Sequence, residues 1–445
     1  KLSLVAVMAL GTSAFAIDNM KVNGEARFIY QTSDVEMSAA EKASGNYDTG
    51  LFTKGKLLQG LAGAPYGGGA AGGASLAVGM TADLVQNVSA GVEMQAFTTL
   101  GLENNLVQDT MAPGGATRAA DSSTVSQMWL ATTIGKTTVK AGRMELDTPL
   151  AFTEKWNIVK NTFEGAVVLN NDLPDTTLIG AWVGKHNGFN DPLAAANGVT
   201  LNVNTLTGST GRTVDMENFN TFGSNGAYAL AAVNKSIPNT AVQGWYYNVV
   251  DIANAYWVQA DATKLMDIVS VGAQYAVLDP KGGLNKWAAA DLDDSKIWAV
   301  KAGVDVAGVN VYAAYSKADA DGTLGFANVA TGDKTKIYTG DGSIYMDGIV
   351  TAPGTKTYKV GASTSVMGAK LATSYCNASD AYDVSGNDVS AWDVSVSGNV
   401  GPLALQAIYT DVSNDDEFAV GAAGQSNFYR GRDIESIRLI ASLKF

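Results

Sequence analysis

The connections between strand-like runs constrain this fold more than any other feature of the sequence. Runs in which apolar and polar side chains alternate with the two-residue period of a β-strand recur along the chain. After the first run, every second connection is short and the others are mostly long. Transmembrane barrels have short turns at one end, long loops at the other and an even number of strands, whereas a soluble β-sandwich has no reason to place every short turn at one end. The sequence therefore predicts an all-β fold, a transmembrane antiparallel up-and-down β-barrel of about 18 strands.

The predicted strands lie at 20–30, 74–84, 88–99, 124–134, 137–146, 162–170, 175–184, 225–233, 240–249, 254–261, 268–278, 295–305, 308–317, 355–366, 368–377, 388–398, 402–412 and 433–445. The notable long connections are 31–73, 100–123, 185–224, 318–354 and 413–432, and the glycine-rich stretch 67–73 is assigned to an exposed loop. Eight of the nine prolines fall outside the predicted strands, and the ninth, Pro402, is the first residue of the strand 402–412. This supports the boundaries, because proline cannot donate a hydrogen bond to a β-ladder.

Both ends of the sequence carry signals of export to a membrane. Lys1 precedes a short apolar stretch and a small-residue cleavage site, so 1–16 is predicted to be a signal peptide and 17–445 the barrel. No later stretch offers the roughly 18 consecutive apolar residues of a membrane-spanning helix. The last run alternates up to Phe445, which resembles the closing strand and assembly signal of a bacterial outer-membrane barrel. The outer-membrane bilayer and the assembly machinery are therefore the expected partners.

A barrel of this size leaves a water-filled lumen, so its inward-facing polar residues govern which solutes pass. The chain has 43 acidic and 30 basic residues and a formal net charge of −13, which predicts a modest cation preference. Strand alternation leaves the direction of Arg143 open. The candidate pore-lining residues in the strands are Glu25, Arg27, Glu93, Arg143, Glu164, Lys301, Asp305, Lys359, Asp393 and Arg438, with Asp83, Gln95, Gln274 and Gln406 as further inward polar positions.

The connection 147–161 is the candidate constriction. Unlike the large outer loops it is poor in glycine, and it carries an apolar set too large to leave in water: Leu150, Phe152, Trp156 and Ile158. It is predicted to fold inward against the wall, with Asp147, Glu154 and Lys155 as its polar contribution to the pore. The alternative is an apolar loop that packs over the rim or against a neighbouring subunit.

Several short motifs carry a resemblance to known porin families. Gly142-Arg143, Pro149 and the strand start 162–165 resemble the OprD-like porins, and the residues flanking the first short turn, 82–84 and 91–95, look like those of the campylobacterial major outer membrane porins. The resemblance spans the mature chain in architecture and about 84–184 in motif. It implies an eighteen-stranded barrel, an inward-folded third outer loop and diffusion of small hydrophilic solutes, in a monomer or a homotrimer.

One departure from that family affects the expected specificity. Carboxylate-selective OprD-like channels line the wall with an arginine ladder, and this chain has arginine only at 27, 118, 143, 212, 430, 432 and 438. A general porin is therefore expected. A substrate-specific carboxylate or amino-acid channel is the alternative.

The residues give less support to other functions. The only histidine, His186, lies at a predicted strand end and the only cysteine is Cys376, so neither a catalytic dyad nor a His/Cys zinc site is expected. The acidic segments 291–294 and 415–417 are candidate Ca²⁺ sites, but they lack EF-hand spacing and solvated loops are favoured; no other cofactor is expected. The acidity argues against a nucleic-acid partner. A non-conducting surface adhesin or envelope protein is a further alternative, because long outer loops suit it equally well.

Overall fold

A computed structural model describes most of the chain. The described residues are 18–36, 50–52, 69–107, 121–188, 193–194, 200–201, 219–221, 226–288, 291–331, 334–340, 346–381, 388–414 and 433–445. The predicted signal peptide, the start of the glycine-rich stretch at 67–68 and the acidic segment 415–417 lie outside them.

Eighteen long strands form one sheet. In chain order they are β1 (Asp18–Val35), β2 (Gly69–Val85), β3 (Val88–Thr98), β4 (Ser122–Ile134), β5 (Thr137–Met144), β6 (Phe163–Asn170), β7 (Thr176–His186), β8 (Ala227–Asn234), β9 (Thr240–Val249), β10 (Ala253–Leu265), β11 (Val269–Pro280), β12 (Ser295–Val306), β13 (Val309–Ala318), β14 (Lys356–Val366), β15 (Ala369–Ser379), β16 (Val389–Val400), β17 (Leu403–Asn414) and β18 (Ile434–Lys444). Short strands at Leu193–Ala194, Thr200–Leu201 and Asn220–Thr221 lie in the connection after β7.

The sheet closes on itself. Each strand pairs antiparallel with its neighbours in the chain, and β18 pairs with β1, with Lys444 opposite Glu25 and Ile434 opposite Val35. The prediction of an eighteen-stranded antiparallel barrel is therefore confirmed. Closure gives hydrogen-bond partners to the backbone N–H and C=O groups that the edge strands of an open sheet would leave unpaired in hydrocarbon.

The short turns gather at one end of the barrel, and their backbone suits hairpins. In the turns after β12 and β14, both central residues have positive φ: 52° and 80° at Ala307 and Gly308, and 52° and 84° at Met367 and Gly368. Such turns match the right-handed twist of the flanking strands. The connections at the other end, called here the long-loop end, include helices α1 (Gly282–Ala288) and α2 (Asp347–Val350) and a 3₁₀ turn at Leu102–Asn104.

Among the described residues, no helix is both long enough and apolar enough to cross a membrane.

Two of the long connections run through the lumen. These are the first inner segment, 145–162, between β5 and β6, and the second inner segment, 319–355, between β13 and β14. Leu150 and Phe326 belong to one buried cluster with inner-face residues of β8 to β12, while Ile158 packs against Ile29 of β1 on the opposite wall. Contacts to opposite walls of a closed barrel place these segments inside it.

The second inner segment corrects the sequence analysis, which assigned 318–354 to a long outer loop. The segment is rich in glycine, aspartate and threonine, as outer loops are. Its apolar anchors Phe326, Ile337 and Met346 are spaced too widely for a periodic signal, yet all three are buried. They can be recognised as anchors only in the structure, where all three pack against the barrel wall.

The two faces of the barrel follow from alternation and register. Arg27 binds the first inner segment, so its face of the sheet is the inner one, and cross-strand partners share that face. On the outer face, eleven consecutive strands, β7 to β17, each present one aromatic residue towards the long-loop end: Trp182, Tyr228, Tyr246, Tyr256, Tyr275, Trp298, Tyr315, Tyr358, Tyr375, Trp392 and Tyr409. Neighbouring rings touch, for example Tyr375 and Trp392 with centroids 5.1 Å apart. This is the aromatic girdle that marks a membrane interface.

The girdle is interrupted on one side. The outer positions of β2 to β6 carry no aromatic residue. Apart from the Arg143–Glu164 pair, most of them hold small, branched or methionine side chains, including Ala74, Met80, Met94, Met128 and Val168. We call this outer face of β2 to β6 the aromatic-free sector.

The glycine-rich stretch is a second correction. Residues 69–73 belong to β2 and not to an exposed loop. A Cβ on Gly73 would lie 2.5 Å from the Thr98 carbonyl oxygen and 3.3 Å from Ile158 Cδ1, so a side chain there would collide with β3 and with the first inner segment. Glycine at this position allows β3 and the first inner segment to approach β2 closely.

Candidate pore and constriction

Hydrogen bonds between wall side chains and backbone groups of the first inner segment hold it against β1, β2 and β3. The Arg27 guanidinium donates to the carbonyl oxygens of Lys155 (2.7 Å) and Asn157 (2.6 Å). The Ser75 hydroxyl donates to the Ile158 carbonyl at 2.7 Å. The Gln95 amide donates to the Lys160 carbonyl and accepts from the Lys160 backbone N–H. Side chains on three adjacent strands thus bind the backbone of a segment that has no ladder of its own.

A charged cluster lies beside these bonds. Lys160 Nζ lies 2.8 Å from Glu93 Oε2 and 2.5 Å from Glu145 Oε1, and Lys155 Nζ lies 2.5 Å from Glu145 Oε2. The Ser126 hydroxyl donates to Glu93 at 2.6 Å. Lys160 and Glu93 are mostly buried, with 16% and 12% of their side chains exposed. Such a pair is stable only because the two charges are matched.

Two groups of this cluster have shifted pKa values. Burial raises the pKa of the Glu145 carboxyl, but hydrogen bonds and charge from Lys155 and Lys160 outweigh burial and leave that pKa below its ordinary value. Burial lowers the pKa of the Lys160 ammonium, while hydrogen bonds and charge from Glu145 and Glu93 more than reverse this and raise that pKa. Both groups are therefore held in their charged forms.

An open cavity of about 450 Å³ runs along this wall. Polar and charged side chains of β1 to β4 and the first inner segment line it, together with Trp129, whose ring lies 4.0 Å from the Lys140 ammonium. The charged lining residues are the bases Arg27, Lys155, Lys160 and Lys444 and the acids Glu25, Glu93 and Glu145. We call the inner face of β1 to β4 the polar wall.

The inner face of β8 to β12 differs. Trp245, Trp257, Ala276 and Ile297 are buried there, and the inner segments cover them through Leu150, Phe326 and Ile337. We call this inner face the apolar wall. The buried cluster offers water little polar surface, whereas nearer the short turns the same inner face carries Gln259, Asp261 and Lys301.

The two inner segments are joined by Glu154. Its carboxylate accepts from Asn328 Nδ2 (2.8 Å), from Trp156 Nε1 (2.5 Å) and from the Thr331 hydroxyl. Glu154 is only 6% exposed. Glu154 was predicted to be one of the polar groups facing the pore, and that prediction is wrong: the buried carboxylate connects the two segments and does not face the lumen.

The second inner segment is also tied to the wall. Tyr338 donates to Asp261 Oδ1 at 2.8 Å, and Lys301 Nζ lies 2.6 Å from the same carboxylate and 4.1 Å from the Tyr338 ring centroid. Lys359 Nζ donates to the Gly340 carbonyl at 2.7 Å. Burial and the nearby Asp261 carboxylate raise the pKa of Tyr338, so its hydroxyl keeps the proton that it donates.

The remaining predicted residues lie at several depths of the lumen. Glu25 pairs with Arg27 at 2.7 Å, and Asp305 accepts from Asn310 near the short turns. Asp393 accepts from Thr410 at 2.5 Å, and Arg438 lies 5.7 Å from the Trp156 ring centroid. Asp147 is 88% exposed and forms an ion pair with Lys336.

Arg143 and Glu164 differ from the prediction, because they lie on the outer face. In β5 and β6 the inner positions are taken by Met144 and by Phe163, which packs against Ala330 of the second inner segment. Alternation then turns Arg143 and Glu164 outward, where they form an ion pair of 2.6 Å. The sequence alone does not show that apolar side chains fill the lumen at this level.

Several functional residues were missed. Glu145 lies in the predicted strand 137–146, and Lys160 lies in the predicted constriction loop itself. Lys140 and Asp261 lie in strands, and Tyr338 lies in a connection that was expected to be an outer loop. Lys140 could have been found from strand alternation, which places it on the same face of β5 as Gly142, two residues away. The Asp291 to Asp294 stretch is exposed, and the described residues contain no group of three or more His, Cys, Asp or Glu side chains placed to hold a metal ion.

A closed eighteen-stranded barrel with an apolar outer face, an aromatic girdle and a polar lumen defines a porin of the outer membrane. A family model for the OprD outer membrane porins matches residues 86–364, which is more than half of the chain, and the protein belongs to this family.

Solved structures agree in fold. OccK1 (OpdK) of Pseudomonas aeruginosa is 13% identical with a TM-score of 0.67 and covers 97% of this chain and 100% of its own. OccK9 (OpdG) of the same organism is 14% identical with a TM-score of 0.69 over 97% and 100%. A BenF-like porin of Pseudomonas fluorescens Pf-5 is 14% identical with a TM-score of 0.66 over 96% and 99%. No curated protein matches the sequence.

Proposed function

We propose that small hydrophilic solutes and ions diffuse through this porin along the polar wall, and that the first inner segment forms the constriction. The observation that carries the proposal is the difference between the walls: the open cavity of about 450 Å³ lies on the charged side, while buried side chains fill the opposite side. Solvated charges favour a wet path, and a close-packed apolar wall favours a dry one.

The lining bears on ion selectivity. The modest cation preference expected from the net charge finds little support at the cavity, where four bases face three acids. Charges nearest the path act most strongly on a passing ion, because exposed charges farther away than about 8 Å are screened at physiological ionic strength. We therefore propose a weakly selective pore, and the cation preference stays a prediction.

A carboxylate-selective channel is the second candidate. Basic side chains at or beside the path are Arg27, Lys140, Lys155 and Lys160, and the last two lie on the constricting segment. OpdK of Pseudomonas aeruginosa, which shares the fold, has been solved with vanillate. Against this candidate, acids neutralise Lys155 and Lys160 directly, which reduces their attraction for an anion.

Conductance in a planar bilayer tests the proposal. Discrete steps, with a reversal potential near zero across a salt gradient, are the expected result; a clear cation-side reversal would favour the prediction from net charge. Liposome swelling with neutral sugars and with aromatic carboxylates of similar size then separates the two candidates. Preferential uptake of the carboxylates would overturn the general porin, and a folded barrel that never conducts would leave an adhesin or envelope role.

Self-association is a further part of the proposal. The aromatic-free sector departs from a lipid-facing girdle, and its small and methionine side chains allow close packing of another surface. We propose that this sector contacts further copies of the chain, in a homotrimer. Multi-angle light scattering in detergent is expected to give a trimer, and Met94→Lys on the sector is expected to give monomers, while Tyr275→Lys in the girdle does not. A monomer at all concentrations would contradict this.

The final strand is the proposed contact with the assembly machinery. The terminal Phe445 pairs through both backbone groups with Gly24, and its side chain is 57% exposed on the outer face. We propose that Phe445→Ala slows insertion into the outer membrane and leaves the conductance of inserted channels unchanged.

A further inference from the structure

Three lysines share a small area of the outer face. Lys296 of β12, Lys317 of β13 and Lys356 of β14 all point outward, and Lys317 and Lys356 are direct cross-strand partners. Like charges directly opposite each other destabilise a sheet. A pair of this kind is favourable when an anion lies between the two ammonium groups.

The aromatic girdle gives the level of these lysines relative to the bilayer. Trp298 is the cross-strand partner of Lys317, and Tyr315 is the partner of Tyr358. Lys317 and Lys356 each lie two residues beyond these tyrosines, one step towards the long-loop end. Girdle rings lie at the headgroup level of a membrane, so the lysines reach the phosphate layer of the outer leaflet.

Acidic neighbours compensate only part of this charge. Lys356 Nζ lies 2.8 Å from Asp380, and Lys296 lies 4.0 Å from Asp319. Within the described parts of the chain, Lys317 makes no ion pair, and its side chain is exposed. Lys317 therefore carries positive charge that no described carboxylate compensates, beside two ammonium groups that each pair with one carboxylate.

We propose that Lys296, Lys317 and Lys356 bind a phosphate group of a phosphorylated glycolipid in the outer leaflet. A phosphate offers several acceptor oxygens and can receive hydrogen bonds from two ammonium groups at once. The adjoining rings of Trp298, Tyr315 and Tyr358 supply the apolar and amphipathic surface on which the lipid's sugar and acyl chains rest. The site faces the bilayer, which favours a lipid-borne phosphate over a free one. The inference is independent of the pore and of its selectivity.

Native mass spectrometry of the full chain in detergent tests this proposal, with bis-phosphorylated lipid A as the probe. The expected result is a lipid adduct that Lys317→Gln/Lys356→Gln weakens by about twenty-fivefold, at roughly fivefold per lysine near a charged lipid surface. Lys136→Gln is the matched control: it removes one exposed lysine at the short-turn end and is expected to leave the adduct unchanged. Heat-modifiable migration and unchanged conductance show that each variant has folded.

Three outcomes would overturn the proposal. The double variant could bind lipid A as tightly as the unaltered protein, dephosphorylated lipid A could bind equally well, or inorganic phosphate could displace the lipid at equal concentration. If the double variant does not fold, Lys317→Gln alone decides, because it leaves the Lys356–Asp380 pair in place. A loss of about fivefold supports the site, and no loss excludes it.

Discussion

The polar wall and the apolar wall hold the inner segments by different forces. On the polar wall, Arg27, Ser75 and Gln95 bind the backbone of the first inner segment, and Lys160 sits between two carboxylates. On the apolar wall, large side chains such as Trp257 and Phe326 are fully buried. Hydrogen bonds and ion pairs tolerate adjacent water, whereas apolar burial depends on its exclusion. The polar wall is thus a wet side suited to solutes. The apolar wall is a dry side, where the inner segments are anchored and narrow the lumen.

The largest effect is expected from breaking the dry side. Phe326→Ala removes a side chain that is 1% exposed and leaves a cavity between the second inner segment and the apolar wall. We expect a loss of about 3–5 kcal/mol in the free energy of unfolding and a higher conductance, because the loosened segment admits water. Urea titration in micelles and bilayer recording measure the two quantities.

Ile237→Ala is the control for Phe326→Ala. Ile237 lies in a short turn and is 56% exposed, so its truncation is expected to change neither stability nor conductance appreciably. A similar loss in both variants would show that the apolar wall has no special role.

The next effect is expected at the connection between the two segments. Glu154→Gln keeps the shape of the side chain but replaces one of the acceptor oxygens that Asn328, Thr331 and Trp156 use. We expect a loss of about 1.5–3 kcal/mol, as for hydrogen bonds to a buried charged group. Asp147→Asn, at an 88% exposed position, is expected to cost less than about 1 kcal/mol. Equal losses in urea titration would contradict the buried role of Glu154.

On the wet side the expected effect is on transport more than on stability. Lys160→Gln removes a positive charge between Glu93 and Glu145 and leaves both carboxylates beside the path. The reversal potential is expected to move towards cation selectivity, because the lining changes from four bases and three acids to three of each, and Glu93 and Glu145 each lose one ion pair. Lys155→Gln removes one of the two ion pairs of Glu145 at a 61% exposed position and is expected to shift the reversal potential less. A shift towards anions, or a larger shift in Lys155→Gln, would contradict this account.

The strands of the barrel could be predicted from the sequence more accurately than the segments that fold into the lumen. Period-two alternation and the order of short and long connections are local properties, so strands such as 88–99 could be predicted to within a residue of β3. The second inner segment has no periodic signal, because its burial depends on contacts across the barrel such as Asn328 to Glu154. Glu164 was assigned to the wrong face because the packing of Phe163 against that segment decides which residue turns inward. Contacts between residues distant in sequence leave no trace that one sequence can show.

The smallest expected effect is on the pH dependence of the first inner segment. The pKa of Glu145 is lowered from an ordinary 4.5, so the carboxylate contributes stability that is present above that value and is lost as the pH falls through the lower pKa of the folded protein. Lys160 has a raised pKa, and its contribution is lost only as the pH rises above an ordinary 10.5. Between pH 5 and 9 the segment is therefore expected to stay in place, and conductance at constant salt should be flat. As the pH falls below 4.5 and through the lowered pKa of Glu145, its ion pairs weaken, and channel noise from a loosened constriction is expected to increase. Glu145→Gln is expected to show this noise already at pH 7, with little further change on acidification. Noise that rises equally in both proteins at low pH would assign the transition to a group other than Glu145.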